Sequence, residues 1–269
     1  MFLHAKNGTI SLAGDSMHYI RFGSGSKTLV MLPGLGDGLT TVKGTALPMA
    51  FMYRAYAGDY TVYMFSRRNH LPAGCSTRDM ARDVKDAMEA LDIQKADLIG
   101  VSMGGMIAQH FAADYPKCVR KLILVVTSAE PNPILSESIH EWTALARRGD
   151  HTALMDSNVR RMYSDAYYRK NRYLIPIMGR LTKPKSYDRF FIQADACLTH
   201  NAADRLETIE APTLVIGGAQ DRALGGDASR RIAASIPGAK LSIYAQWGHG
   251  LYEEAKDFNQ LVLGFLRNG

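Results

Sequence analysis

The residues that could do chemistry at neutral pH centre on Gly100-Val101-Ser102-Met103-Gly104, a G-x-S-x-G turn. It follows the apolar run Ala96-Asp97-Leu98-Ile99 and precedes Met106-Ile107-Ala108-Gln109-His110-Phe111-Ala112-Ala113. A strand that turns straight into a helix strains the residue between them and admits only small neighbours, a need that Gly100 and Gly104 meet. Ser102 would then project its hydroxyl from the sheet edge. The N–H of Met103, at the helix start, would point where a negative oxygen forms. A glycine-rich turn without chemistry fits the pentapeptide alone equally well, but the strand before it and the helix after it supply the context a nucleophile needs.

A serine hydroxyl is a weak nucleophile unless a base lies within hydrogen-bond reach, and that base needs a carboxylate to fix its tautomer. Both must follow strands, at the same edge as Ser102. Of eight histidines, His249 stands in Gly248-His249-Gly250, just past the short strand Lys240-Leu241-Ser242-Ile243-Tyr244. His110 lies about two turns into the helix after the serine and cannot turn back to it. His70, His140, His151 and His200 fall in loop or inserted segments, where an ordinary surface role is expected. For the carboxylate, Gly217-Gly218-Ala219-Gln220-Asp221-Arg222 places Asp221 directly past a buried strand. Asp221 could instead simply cap the turn at Ala223-Leu224, and Glu130 and Asp227 are rivals. The order Ser, Asp, His along the chain is the one expected for this turn on a doubly wound sheet. Leu35, in the Pro33-Gly34-Leu35-Gly36 turn, is placed to give the second oxyanion N–H beside that of Met103; backbone donors tolerate any side chain, so location alone selects both.

The elements that must position these residues alternate between strand and helix. Gly8–Leu12 and Met17–Phe22 read as a meander with its turn at Gly14-Asp15, and Thr28–Leu32 as a strand buried on both faces. Tyr60–Phe65 is a further strand, and Ser76-Thr77-Arg78-Asp79 caps a helix with Met80, Val84, Ala87, Met88 and Leu91 on one face. Val119–Val126, Pro212–Gly218 and Lys240–Tyr244 complete a parallel, doubly wound sheet. Between Glu130 and Arg205 no buried strand appears. Four amphipathic stretches take over, Leu135–Arg147, Thr152–Tyr163, Tyr167–Met178 and Tyr187–Leu198, and a final helix runs from Glu253 to Leu266. The methionines and tyrosines of this insertion are read first as packing, yet helices laid over the carboxyl ends of a parallel sheet would cover whatever site sits there.

Composition narrows the alternatives. At 269 residues and 46% hydrophobic content the chain suits one large α/β domain with an insertion. The formal charge of +6 is scattered in pairs such as Arg67-Arg68 and Arg160-Arg161, which argues against a nucleic-acid partner. Three widely separated cysteines, with no CxxC, point to a reducing compartment and to no metal site. G-x-G-x-x-G and Walker spacings are absent, so no cofactor is called for. No apolar run approaches a membrane span and no leader is evident; a soluble, cytoplasmic protein without a membrane partner is expected.

Taken together, Leu32-Pro33-Gly34-Leu35-Gly36-Asp37, Gly100-Val101-Ser102-Met103-Gly104-Gly105, Gly218-Ala219-Gln220-Asp221 and Trp247-Gly248-His249 resemble the motifs of the α/β-hydrolase superfamily, in its small bacterial form with a helical cap. The resemblance spans nearly the whole chain. It implies an α/β-hydrolase fold, a mostly parallel eight-stranded sheet flanked by helices, with a core of residues 1–129 and 206–269 and a cap insertion of residues 130–205. It also implies Ser102 as nucleophile, Asp221 as acid, His249 as base, and Leu35 with Met103 as oxyanion donors. Two departures stand out: Pro33-Gly34 where many relatives have His-Gly, and Ser66-Arg67-Arg68-Asn69-His70 where relatives often have Asp-x-Arg-Gly. A serine at position 102 argues against haloalkane dehalogenase or epoxide hydrolase chemistry. The expected activity is hydrolysis of a carboxylic ester of a small molecule through an acyl-enzyme. The alternatives are carbon–carbon bond hydrolysis, thioester or lyase chemistry on the same triad, or ligand reception with little turnover.

Overall fold

The computed structural model describes residues 2–12 and 14–268. Eight strands form one sheet: β1 (Lys6–Leu12), β2 (Asp15–Phe22), β3 (Lys27–Leu32), β4 (Tyr60–Arg68), β5 (Ala96–Val101), β6 (Val119–Val125), β7 (Thr213–Gly218) and β8 (Lys240–Tyr244). Their spatial order is β1-β2-β4-β3-β5-β6-β7-β8. β1 and β2 pair antiparallel with each other, and β2 pairs antiparallel with β4. From β4 through β8 the pairing is parallel. The eight strands expected from the sequence are all present, the central ones because Val, Ile and Leu runs with polar termini can bury both faces only inside such a sheet.

The helices are α1 (Ala46–Met52), α2 (Thr77–Ala90), α3 (Met103–Asp114), α4 (Pro133–Arg147), α5 (His151–Met162), α6 (Asp165–Asn171), α7 (Ile175–Leu181), α8 (Asp188–Leu198), α9 (Ala228–Ser235), α10 (Leu251–Glu254) and α11 (Phe258–Arg267). α2 starts with the capping box foreseen at Ser76 and Asp79, whose side chain and backbone groups bond reciprocally. One apolar cluster packs residues of α2, α3 and α9 on one face of the sheet; a second packs α1 and α11 on the other. Helices α4 to α8 all lie in the stretch between β6 and β7.

Two helical expectations need correction. The stretch Tyr167–Met178 is not one helix, because Pro176 would fall in its interior, where it lacks an N–H and its ring meets the carbonyl four residues back. The chain therefore stops at Asn171 and restarts at Ile175, with proline in the first turn of α7 where no donor is needed. The last helix is likewise two pieces, α10 and α11, separated by Ala255–Asp257.

Parallel register brings distant loops to one edge. Leu32 pairs with Gly100, Val101 with Val125, Val125 with Ile216, and Gly218 with Tyr244. The loops that follow β3, β5, β7 and β8 thus emerge side by side, and these carry Leu35, Ser102, Asp221 and His249. Carboxyl ends of parallel strands are where open α/β sheets hold ligands.

Candidate active site

Ser102 occupies the turn between β5 and α3 with φ 54° and ψ −121°, a left-handed conformation that a serine adopts only when its surroundings enforce it. Its N–H donates to the Val125 carbonyl at 2.9 Å, and its carbonyl accepts from the Thr127 hydroxyl at 2.7 Å. The flanking glycines are needed for space. A Cβ on Gly100 would come within 2.5 Å of the Gly104 carbonyl oxygen, and one on Gly104 would collide with the Leu32 carbonyl. The strain at Ser102 is thus held by contacts on both sides of the turn.

Across the sheet edge, His249 Nδ1 lies 2.8 Å from Asp221 Oδ2, and both side chains are buried. The other carboxylate oxygen of Asp221 accepts from the amides of Ala223 at 2.8 Å and Leu224 at 2.9 Å. The capping role therefore coexists with the histidine contact: one oxygen caps the turn, the other holds the histidine. A carboxylate only accepts, so Nδ1 is the nitrogen that donates in this contact. The rivals are occupied elsewhere or lie apart. Glu130 pairs with Arg231, and Asp227 heads α9.

Ser102, His249 and Leu35 line one cavity of about 400 Å³. Among the described residues, the amides of Leu35 and Met103 donate to no other group of the chain. Of the two, Leu35 lines the cavity, whereas Met103 is fully buried beside Ser102 and is not among the lining residues. The cavity walls are largely apolar, with Met31, Met49, Trp142, Met162 and Phe258 among them. A second chamber of about 340 Å³ shares Leu35, Gly36, Thr40, Trp142 and Asn158 with the first and continues to His151 and Thr182. Trp142, Asn158, Met162 and Tyr163 reach the first cavity from the segment between β6 and β7. For Met162 and Tyr163, packing and lining are therefore not exclusive.

The turn that carries Leu35 is held from beneath. Asp37, buried, accepts from the Arg67 amide at 3.1 Å and from Arg189 Nη2 at 2.9 Å. Arg189, on α8, also donates to the carbonyls of Asp37 at 2.6 Å and Arg68 at 3.1 Å. The Arg67 guanidinium donates to the Pro33 carbonyl, and burial lowers its pKa. The unusual Ser66-Arg67-Arg68 segment thus serves the turn: Ser66 accepts from the Val42 amide at 2.9 Å, and Arg68 pairs with Asp83 at 2.7 Å. Asp37 was visible in the sequence only as part of a glycine-rich loop, and nothing in the chain order points to Arg189.

The remaining histidines divide. His70 is exposed and pairs with Asp15 at 2.9 Å, and His140 is exposed, as expected. His151 and His200 are buried, against expectation. The loop bearing His200 folds inward, so that its ring meets His110 edge-on at 5.1 Å between centroids while Nδ1 lies 2.8 Å from the Thr77 hydroxyl. Burial pushes His110 down to about 4 and His200 to about 3. All three cysteines are free, and no cluster of possible metal ligands occurs among the described residues.

A family model described as alpha/beta hydrolase fold matches residues 27–256. The chain is 30% identical over 272 residues to a 2-hydroxy-6-oxononadienedioate/2-hydroxy-6-oxononatrienedioate hydrolase of Paraburkholderia phymatum, covering 93% of this chain and 90% of that protein. A similarly named hydrolase of Pseudomonas putida is 28% identical over 280 residues, covering 99% of this chain and 96% of its own length. Among solved structures, an α/β-hydrolase enzyme from a Medee basin deep-sea metagenome library superposes with a TM-score of 0.84 at 22% identity, covering 97% of this chain and 98% of its own. The enol-lactonase from Burkholderia xenovorans LB400 does so with a TM-score of 0.80 at 22% identity, covering 97% of this chain and 100% of its own.

Proposed function

Because this chain belongs to the α/β-hydrolase fold family, we propose that it is a serine hydrolase with Ser102 as nucleophile, His249 as base and Asp221 as the carboxylate that orients it. The observation that carries this reading is the 2.8 Å contact from His249 Nδ1 to Asp221, made at the wall of the cavity that strained Ser102 also lines. Residues 130–205 act as the cap that shapes that cavity. In the first half-reaction Ser102 Oγ adds to the substrate carbonyl carbon as His249 Nε2 takes its proton. The resulting oxyanion is met by the amides of Leu35 and Met103, each such donor contributing on the order of 3 kcal/mol in a water-poor site. His249 returns the proton to the leaving group, and water, deprotonated by the same nitrogen, releases the acid.

The substrate we favour is a carboxylic ester. The named relatives act on dienedioates, so carbon–carbon bond hydrolysis on the same triad is the second reading. Charge separates the two. Among the described lining residues Glu253 is the acid whose side chain is accessible, the Asp37 carboxylate being fully buried against Arg189, and no Lys or Arg lines the cavity. A dicarboxylate would bring two more negative charges with no lining cation to meet them, an unfavourable transfer from water. Incubation with short-chain p-nitrophenyl esters, a fluorophosphonate label and a dienedioate tests both readings. Ester turnover with labelling at Ser102 supports the first. Turnover of the dienedioate alone replaces it with the second.

A further inference from the structure

The two acids of the cavity differ in what surrounds them. Asp37 is neutralised by Arg189, whereas Glu253, on α10, has no cationic partner among the described residues. Glu253 Oε2 accepts from the Tyr163 hydroxyl at 2.8 Å, and Oε1 has no hydrogen bond among those residues. The neighbouring Glu254 is engaged separately, through the Ser164 amide at 2.9 Å and the Ser164 hydroxyl at 2.6 Å. Tyr53, Tyr163 and Tyr252 line the same cavity as Glu253. Glu253 is an exposed residue, and partial desolvation raises its pKa; the Tyr163 hydrogen bond opposes that rise and the charge of Glu254 adds to it. A carboxyl with an open oxygen and three phenol rings about one cavity is the chemistry that recognises an ammonium group, by charge and by the electron-rich ring faces.

The position of this group within the reaction follows from the loop it shares with His249. The Tyr163 ring lies against Gly250, where a Cβ would approach it to 2.7 Å, so Tyr163 and Glu253 flank the histidine loop. His249 must hand its proton to the departing alcohol, so the wall its own loop builds faces the alcohol portion of an ester. Resting on the serine-hydrolase reading for that orientation, we propose that Glu253 and its tyrosines form a subsite for a cationic, ammonium-bearing alcohol portion of the substrate.

Binding and turnover test this separately. With Ser102→Ala, calorimetry compares choline with its neutral isostere 3,3-dimethylbutan-1-ol; choline should bind roughly tenfold tighter, and adding Glu253→Gln should bring the two together. With the unaltered protein, the kcat/KM ratio of acetylcholine to 3,3-dimethylbutyl acetate should exceed one by about the same factor and fall toward one in Glu253→Gln, chiefly through KM. Glutamine keeps an acceptor for Tyr163, so a preference that survives the substitution overturns the assignment to Glu253. Equal or weaker binding of choline overturns the subsite itself. Ester turnover without preference sinks the subsite and leaves the hydrolase reading standing. A binding preference with no ester turnover does the reverse.

Discussion

The amide of Gly250, the residue after His249, donates to the carbonyl of Met162 at 2.7 Å. The histidine loop therefore hangs from the end of α5. Next to this bond Tyr163 reaches Glu253 and Ser164 reaches Glu254. Arg222, which follows the candidate acid Asp221, donates to the Tyr163 carbonyl at 2.8 Å and pairs with Asp165 at 3.0 Å. One corner, residues 162–165, holds both loops that meet as His249 and Asp221.

Replacing Ser102 with alanine should lower kcat by about 10⁴ to 10⁶ while leaving the fold intact, because members of such a triad act as a unit. Steady-state kinetics alongside circular dichroism checks this. A variant that keeps more than about a tenth of the activity removes Ser102 from the nucleophile's place.

Asp221→Asn poses a conflict that the three donors around the carboxylate make specific. Asparagine has one acceptor oxygen. If that oxygen serves the Ala223 and Leu224 amides, its NH₂ faces His249 Nδ1 and forces the proton onto Nε2, the wrong tautomer for a base. The expected loss in kcat is about 10⁴, with a much smaller change in KM. A loss below about tenfold would show that the 2.8 Å contact is structural only.

Arg189→Ala should both destabilise the protein and slow it. The substitution strips the paired charge from buried Asp37 beneath the Leu35 turn, a change that typically costs about 3–5 kcal/mol. Urea unfolding should show the loss as a lower midpoint at unchanged slope, and kcat should fall more than KM rises, since the oxyanion donor would no longer be held. An unchanged midpoint would contradict the clamp.

Stability should decline on acidification through a window set by His110 and His200. Their folded values, about 4 and about 3, lie below the ordinary 6.5, so the unfolded chain binds protons that the native one refuses. The contribution is fully present above pH 6.5 and is lost as the pH falls from there toward about 4 for His110 and about 3 for His200, at up to about 1.4 kcal/mol per pH unit for each ring. Unfolding titrations of the unaltered protein and of His110→Gln check the sign: the variant's stability should depend less steeply on pH between about 6.5 and 4.5. An equal slope would place the proton uptake on other groups.

Much of this site was legible because its parts follow short-range rules. Gly100 and Gly104 around Ser102, and Gly248 and Gly250 around His249, mark turns at strand ends, and chain order places Asp221 between them. The places of Leu35 and Met103, each at the first position of a helical turn after a strand, were legible for the same reason, since backbone position needs no side-chain signal. What escaped notice depends on approach across the fold. Arg189 reaches Asp37, and Tyr163 reaches Glu253, from helices whose amphipathic pattern says which face is buried but not what it meets. His200 escaped because a polar loop next to an amphipathic helix reads as surface until its ring is seen against His110. The break before α7 was different in kind: Pro176 was visible, and its steric rule outweighs the apolar spacing on either side.

The anchoring of the histidine loop to the end of α5 also bears on how such a scaffold can be re-engineered. Exchanging the helical insertion for one from a relative, as a cassette to import new specificity, would keep the acceptor of Gly250 only if the graft returned a main-chain carbonyl to the place of Met162. A graft whose junction lies beyond residue 165 keeps the support of the His249 loop, and one that cuts before residue 162 trades substrate scope against the placement of the imidazole.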